Sequence, residues 1–278
     1  MNRSHRASVR LGVFLLTALV AVTACGSSGS NAQASVLTKV LQAGVLRVAV
    51  IVPSPGYAEK DAQGNYTGYE VDVANLLAKD LGVKTQFIET DNPGRVTTVQ
   101  TGKADVAIAT FTSNLTRMQV IDFTDPYEVA VQVLMAQASD PRTSLADFNK
   151  AGTKIAVATG GTQVQAVKTY LPLATEVPFP SPDDAIQAAI SGQVDAAATG
   201  GTSIGPYMAA NPGKLKEVQG TLGPPIYNGI GLAQGDFAWW HYLNSFVTTI
   251  NNDGSSCAMY RKYFPGSSPG PMVTCFPS

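Results

Sequence analysis

Two stretches of this 278-residue chain combine residue types that can grip a small anion. Arg117 follows Thr110-Phe111-Thr112 by a few residues, just after an apolar run that ends near Ala109. A guanidinium presents a planar fork of N–H donors that matches the two oxygens of a carboxylate, and the threonines add hydroxyls and backbone N–H groups. The same arginine could equally be a solvated side chain in a helix's first turn, where the macrodipole mildly disfavours a cation. Farther along, Gly160-Gly161-Thr162-Gln163 lies between an apolar run and a helical pattern. A strand that enters a glycine turn and then a helix leaves free N–H groups at the helix start, suited to an anion. A plain βα turn with a threonine cap looks the same in sequence.

A catalytic pattern competes. Gly201-Thr202-Ser203-Ile204-Gly205 fits G-x-S-x-G and is followed by Asp236 and His241, the chain order of α/β-hydrolases. Asp236 and His241 lie five residues apart at the start of one helical pattern, a poor placement for an acid–base relay. His241 also stands among Trp239, Trp240 and Tyr242, which reads as helix packing. The Ser-hydrolase reading is therefore weak. No His/Cys/Asp cluster has metal-ligand spacing, and Asp183-Asp184 most simply opens a helix. No metal or cofactor is expected.

The elements that must position these residues follow from periodicity. Composition is that of a globular protein, 45% hydrophobic and 14% charged with net charge −1, and no basic face suggests nucleic acid. Strands and helices alternate: strands over 46–52, 85–88, 130–136, 154–158, 176–178 and 230–233, and helices over 70–81, 94–101, 162–171, 181–191, 237–251 and 255–264. Val71, Val73, Leu76, Leu77 and Leu81 form a buried stripe on the first of those helices. A loose repeat runs through this pattern. Gly102 and Asp105, between a helix end and an apolar strand, recur ninety residues later as Gly192 and Asp195. Two α/β halves with a cleft between them as the ligand site are the natural reading.

The N-terminus is a processing signal. Arg3, Arg6 and Arg10 precede a 14-residue apolar run, Leu11 to Ala24, too short for the ~20 residues of a membrane span. Val22-Thr23-Ala24-Cys25 resembles the bacterial lipoprotein cleavage box, which implies a signal peptide over 1–24 and a lipidated Cys25. Residues 25–35 then form a flexible tether. Removing the first 24 residues leaves 16 basic against 20 acidic residues, about −4. In an exported protein Cys257 and Cys275 plausibly pair and close a loop near the C-terminus.

The run Gly68-Tyr69-Glu70-Val71-Asp72-Val73-Ala74-Asn75-Leu76-Leu77-Ala78-Lys79-Asp80-Leu81 resembles the signature of family 3 extracellular solute-binding proteins, the polar amino acid receptors of ABC importers. The likeness extends through 95–102, 105–117, Asp122-Phe123-Thr124-Asp125-Pro126-Tyr127, 155–163 and 191–199, most of residues 45–265. It implies an α/β, two-lobe periplasmic-binding-protein fold of type II, each lobe a mostly parallel sheet flanked by helices, with two hinge crossings. Lobe 1 is expected at 36–137 and 234–278 and lobe 2 at 138–233, with hinges near 136–140 and 233–236. The resemblance gives Arg117 the ligand's α-carboxylate, with Thr112, Thr110 and Phe111 beside it and Gly161, Thr162 and Gln163 on the far side. Arg95 matches an arginine of the acidic-ligand branch, although it could be a surface arginine at a helix start. Ile51 stands where basic-ligand receptors have an acid, which argues against basic ligands.

Two positions depart from the family pattern. Gly200 replaces the aspartate that pairs with the ligand's ammonium, so either Glu70 or Asp72 reaches that group or the ligand has no conventional amine. Ser54 and Gly56 replace larger wall residues, leaving Tyr57 as the apolar face. The expected function is an extracytoplasmic, lipid-anchored, monomeric receptor for a small polar, acidic amino acid, serving a membrane permease and ATPase, and not an enzyme. The alternatives are an amine-lacking organic carboxylate as ligand, or an enzyme of the cyclohexadienyl dehydratase kind on the same fold.

Overall fold

The computed structural model describes residues 34–265 and 269–276. The signal segment, Cys25 and most of the tether lie outside those residues. The tether's last residue is not loose: Ser35 caps the first helix, accepting from the N–H of Leu37 at 3.2 Å and donating to Asp236 at 2.8 Å.

The chain opens with α1 (Val36–Ala43), β1 (Val45–Val50), a short hairpin of β2 (Glu59–Lys60) and β3 (Tyr66–Thr67), α2 (Tyr69–Leu81), β4 (Lys84–Glu89), α3 (Gly94–Gln100), β5 (Val106–Ala107) and β6 (Asp122–Ala130). It continues with β7 (Gln132–Gln137), α4 (Leu145–Phe148), β8 (Lys154–Ala158), α5 (Gln163–Tyr170), β9 (Thr175–Phe179), α6 (Pro182–Ile190), β10 (Ala196–Gly200), α7 (Ile204–Ala210) and β11 (Leu215–Glu217). β12 (Ile226–Leu232), α8 (Phe237–Asn252) and α9 (Ser255–Tyr263) complete it.

Two five-stranded sheets result, ordered β4-β1-β5-β12-β6 and β11-β7-β10-β8-β9. Parallel pairing joins β1 to β4 and β5, and β8 to β9 and β10, while the strands next to the lobe crossings, β12 and β7, run antiparallel to their neighbours. Each sheet is therefore mixed and more evenly so than expected. Side chains alternate across the sheets as a period of two requires. Val133 and Met135 of β7 enter one core layer and Leu134 and Ala136 the other, while β1 sends Val48 and Val50 to one face and Ala49 to the opposite one.

Strand membership corrects the expected lobe boundaries. β7 belongs to the second sheet and β12 to the first, so the chain crosses at Val131 and again between Glu217 and Ile226, not near 136–140 and 233–236. The first crossing is hidden because the apolar stretch 130–136 reads as a single strand and spans the junction of β6 and β7, which one residue separates. The second was misplaced because Gln234-Gly235-Asp236 looks like a hinge; it is the turn into α8, where Asp236 accepts from the N–H of Trp239 at 3.0 Å.

The internal repeat has one chemistry in both lobes. Asp105 accepts from the N–H of Arg47, and Asp195 from the N–H of Lys154, each at 2.8 Å. Both aspartates thus pin the first residues of a neighbouring strand, and each carboxylate also holds an arginine: Arg47 at 2.5 Å and Arg142 at 2.6 Å. Gly102 and Gly192 take positive φ (68° and 74°) in the turns that lead there, a conformation that favours glycine. A disulfide joins Cys257 to Cys275.

Candidate functional site

A cavity of about 70 Å³ lies between the lobes. The first lobe contributes Ser54, Tyr57, Asn92, Arg95, Thr110, Thr112, Arg117, Ala130, Ile226 and Asn228, and the second Gly161, Thr162, Gln163, Pro182, Thr199, Gly200, Thr202, Ser203 and Tyr207. Nine of the ten ligand-site residues expected from sequence line it.

Arg117 begins a short 3₁₀ turn, its N–H tied to Asn114 Oδ1 at 2.9 Å. Nη1 donates to the carbonyl of Thr112 at 2.6 Å, and Nη2 reaches across the cleft to the carbonyl of Gly160 at 2.9 Å. No carboxylate among the described residues pairs with it, and burial holds its pKa down at about 10.

Arg95 is not a surface arginine: only 2% of it is exposed. Nε donates to the carbonyl of Asn92 at 3.1 Å, and Nη1 to those of Ala109 and Thr110 at 2.8 and 3.2 Å. Burial first and the charge of Arg117 second lower its pKa to about 9, so both arginines remain cations at neutral pH.

Phe111 is the expected ligand residue that does not line the cavity. It is fully buried beneath it, with the guanidiniums of Arg95 and Arg117 at 4.5 and 5.0 Å from its ring centre and Phe123 at 4.8 Å. Its ring supports both cations through their attraction to the aromatic face.

Thr110 occupies left-handed backbone space (φ 44°), unusual for a β-branched residue. Two partners hold it there: its N–H donates to Glu70 Oε1, and its carbonyl accepts from Arg95. Thr112 uses its expected ligand donors internally, its N–H on the carbonyl of Thr110 at 3.2 Å and its hydroxyl on Asn228 Oδ1 at 3.1 Å.

On the second lobe, the amides of Thr162 and Gln163 open α5 and have no acceptor among the described residues. Thr162 sits at the cap position but does not cap; its hydroxyl donates to Gln132 Oε1 at 3.3 Å. Gly161 is tightly placed: a Cβ there would lie 3.0 Å from the carbonyl of Ala158 and would displace the end of the Gln163 side chain.

Tyr57 lines the cavity and is also a core residue. Its hydroxyl donates to Glu128 Oε1 at 2.5 Å and meets Thr202 of the opposite lobe, while Glu128 Oε2 accepts from Asn228 at 2.8 Å. Burial pushes the Glu128 carboxyl up. Gly56 makes space for Phe264, whose ring centre lies 4.9 Å from that of Tyr57, so the end of the C-terminal helix packs against a residue of the wall.

Neither acid considered for a ligand amine lines the cavity. Glu70 is buried under Thr110 and bonded to Tyr127, and Asp72 pairs with Lys262 and Tyr263 at 3.0 Å. Sequence reading also missed Asn92, Thr199, Thr202, Tyr207 and Asn228 as lining residues, and considered Ser203 only within the weak hydrolase pattern. No hydrogen bond joins Ser203 to Asp236 or His241. Asp236 is occupied by Ser35, Val36 and Trp239, and His241 stacks on Phe237 at 5.7 Å. Among the described residues no acid, histidine and cysteine cluster could hold a metal ion, and no helix is long and apolar enough to cross a membrane.

Two mixed α/β lobes, connected twice and facing each other over a polar, cationic cleft, define a solute-binding fold that closes on small molecules. The chain belongs to the bacterial extracellular solute-binding proteins, family 3, matching over residues 46–266. It is 27% identical over 263 residues to the ABC transporter glutamine-binding protein GlnH of Bacillus subtilis (strain 168), covering 91% of this chain and 95% of that one. It is 28% identical over 267 residues to the glutamate-binding protein GluB of Corynebacterium glutamicum, covering 91% and 89%. Among solved structures, the ancestral amino acid-binding protein AncCDT-1, a precursor of cyclohexadienyl dehydratase, matches with a TM-score of 0.76 at 32% identity, covering 83% of this chain and 100% of that one.

Proposed function

We propose that this protein is the substrate-binding subunit of an ABC importer, a monomer exported and held by a lipid on Cys25 at the outer face of the cytoplasmic membrane. It captures a small acidic ligand by closing its lobes on a carboxylate and presents the closed form to a permease driven by a cytoplasmic ATPase.

The observation that carries this reading is the position of Arg117. Its fork is anchored on the first lobe, touches the second at Gly160 and has no protein counter-ion among the described residues. A carboxylate entering the cleft exchanges the neutral carbonyl acceptors of Arg117 for charged oxygens, which make stronger hydrogen bonds. The free amides of Thr162 and Gln163 face the same group from the other lobe. Each lobe holds part of the donor set, so a bound anion favours the closed arrangement. Arg95, a second cation that makes no salt bridge among the described residues, supports a ligand with a second acidic group. The names of GlnH and GluB are consistent with polar ligands of this size.

Thermal denaturation of the mature protein against amino acids, dicarboxylates, prephenate and a generic ester tests the reading. A receptor gains melting temperature with one carboxylate class and turns over nothing. Turnover of prephenate or ester, with no stabilisation by any carboxylate, would refute it.

A further inference from the structure

The charge of the cleft is one-sided. Its lining contains two arginines and no aspartate or glutamate. The acids nearby are already engaged. Glu70 serves the Thr110 N–H and the Tyr127 hydroxyl, Glu128 serves Tyr57 and Asn228, and Asp91 accepts from the N–H of Gly94 at 2.7 Å. On the second lobe, Asp183 lies beside Gln187 and Tyr207 and is not part of the lining.

The two cations have donors to spare. A guanidinium has five N–H groups. Nη2 of Arg95 has no acceptor among the described residues, and it is not among the buried atoms left without a partner, so it reaches the open space that Arg95 borders. Nε of Arg117 is likewise unengaged. An ammonium in this cavity would face two like charges with no carboxylate on the wall, an arrangement that penalises it strongly once water is excluded. A second anion meets the opposite situation.

We propose that the ligand is an organic dicarboxylate without an ammonium group, one carboxylate on Arg117 and the other on Nη2 of Arg95. This rests on the receptor reading above and narrows its ligand class. Selectivity then comes from what the cleft withholds: a zwitterionic amino acid of the same length is rejected because its amine has no partner.

Gly200 gives the means to test this. It lines the second-lobe wall in ordinary extended geometry (φ −72°, ψ 136°), and a Cβ there meets nothing nearer than Thr202 Oγ1 at 3.9 Å. A side chain can start there without a clash, and an aspartate would bring a negative charge to the wall. Calorimetric titration of the mature protein with the matched pairs glutarate and L-glutamate, and succinate and L-aspartate, is the experiment. The expected result is at least a tenfold preference for the dicarboxylate of one pair, narrowed or reversed in a folded Gly200→Asp variant. If L-glutamate or L-aspartate binds as tightly as its amine-free partner, the proposal is overturned and the carboxylate receptor stands. A dicarboxylate preference unchanged in Gly200→Asp also overturns it, because the missing acid is then not the determinant. If no carboxylate of any kind binds, both readings fall.

Discussion

Nη2 of Arg117, a first-lobe side chain, donates at 2.9 Å to the carbonyl of Gly160 on the second lobe. One cation is thereby shared by the two halves of the molecule at the edge of the cavity they enclose. Removing it should weaken ligand capture far more than folding. Arg117→Ala is expected to lose roughly ten- to a hundredfold in affinity, the range for a charge-assisted hydrogen-bond pair of about 1.5–3 kcal/mol. Its melting temperature without ligand should stay close to that of the parent, since Arg117 is only partly buried. Arg117→Lys keeps the charge without the planar fork and should recover only part of the loss. Calorimetry on the three proteins reads the series.

Gly160 sits at φ 71°, and a Cβ on it would lie 2.9 Å from the backbone nitrogen of Pro93 in the first lobe. Gly160→Ala should therefore hinder closure as well as strain the turn. The expected outcome is a loss of about 1 kcal/mol in stability from the left-handed backbone, with a larger loss of affinity because the closed form is blocked. Chemical denaturation and ligand titration separate the two effects.

Burial raises the Glu70 carboxyl to about 7, above its ordinary value of 4.5. Between those values the native state holds a proton that the unfolded chain has released. Glu70 therefore stabilises the fold fully below about pH 4.5 and loses that contribution as pH rises through 7, a span of about 3 kcal/mol. Glu70→Gln keeps an oxygen for the Thr110 amide and the Tyr127 hydroxyl but cannot ionise. Its stability should vary less than the parent's over that interval, measured by urea denaturation at several pH values.

The Cys257–Cys275 bond closes a loop with a sequence separation of 18 near the C-terminus, away from the cleft. Replacing both cysteines with serine should cost about 3 kcal/mol of stability by the chain-entropy relation. The ligand-induced shift in melting temperature should persist in the variant, as neither cysteine lines the cavity.

Much of the scaffold was legible because its signals are local. Four residues of the α2 stripe, Val71, Val73, Leu77 and Leu81, are buried as its spacing implies while Leu76 is half-buried, and β8 spans the five residues its apolar run marks. The repeated aspartates were visible as a pattern, and each does the same work on its own sheet. The lobe crossing at Val131 was not legible, because a continuous apolar run shows no change of sheet. Asn228 joins the site through a bridge to Thr112 and a bond to Glu128, partners 116 and 100 residues away, so no local spacing announces it. Phe111 was read as a ligand residue from its neighbours in sequence; packing instead puts it under the arginines it supports.

The most direct measurement is a crystal structure of the mature protein with the acid that stabilises it most. One carboxylate should lie about 2.7–2.9 Å from the guanidinium of Arg117, the hydrogen-bond range for such a pair, with the amides of Thr162 and Gln163 on its other side. A bound acid located elsewhere, with Arg117 still resting on the carbonyls of Thr112 and Gly160, would contradict it.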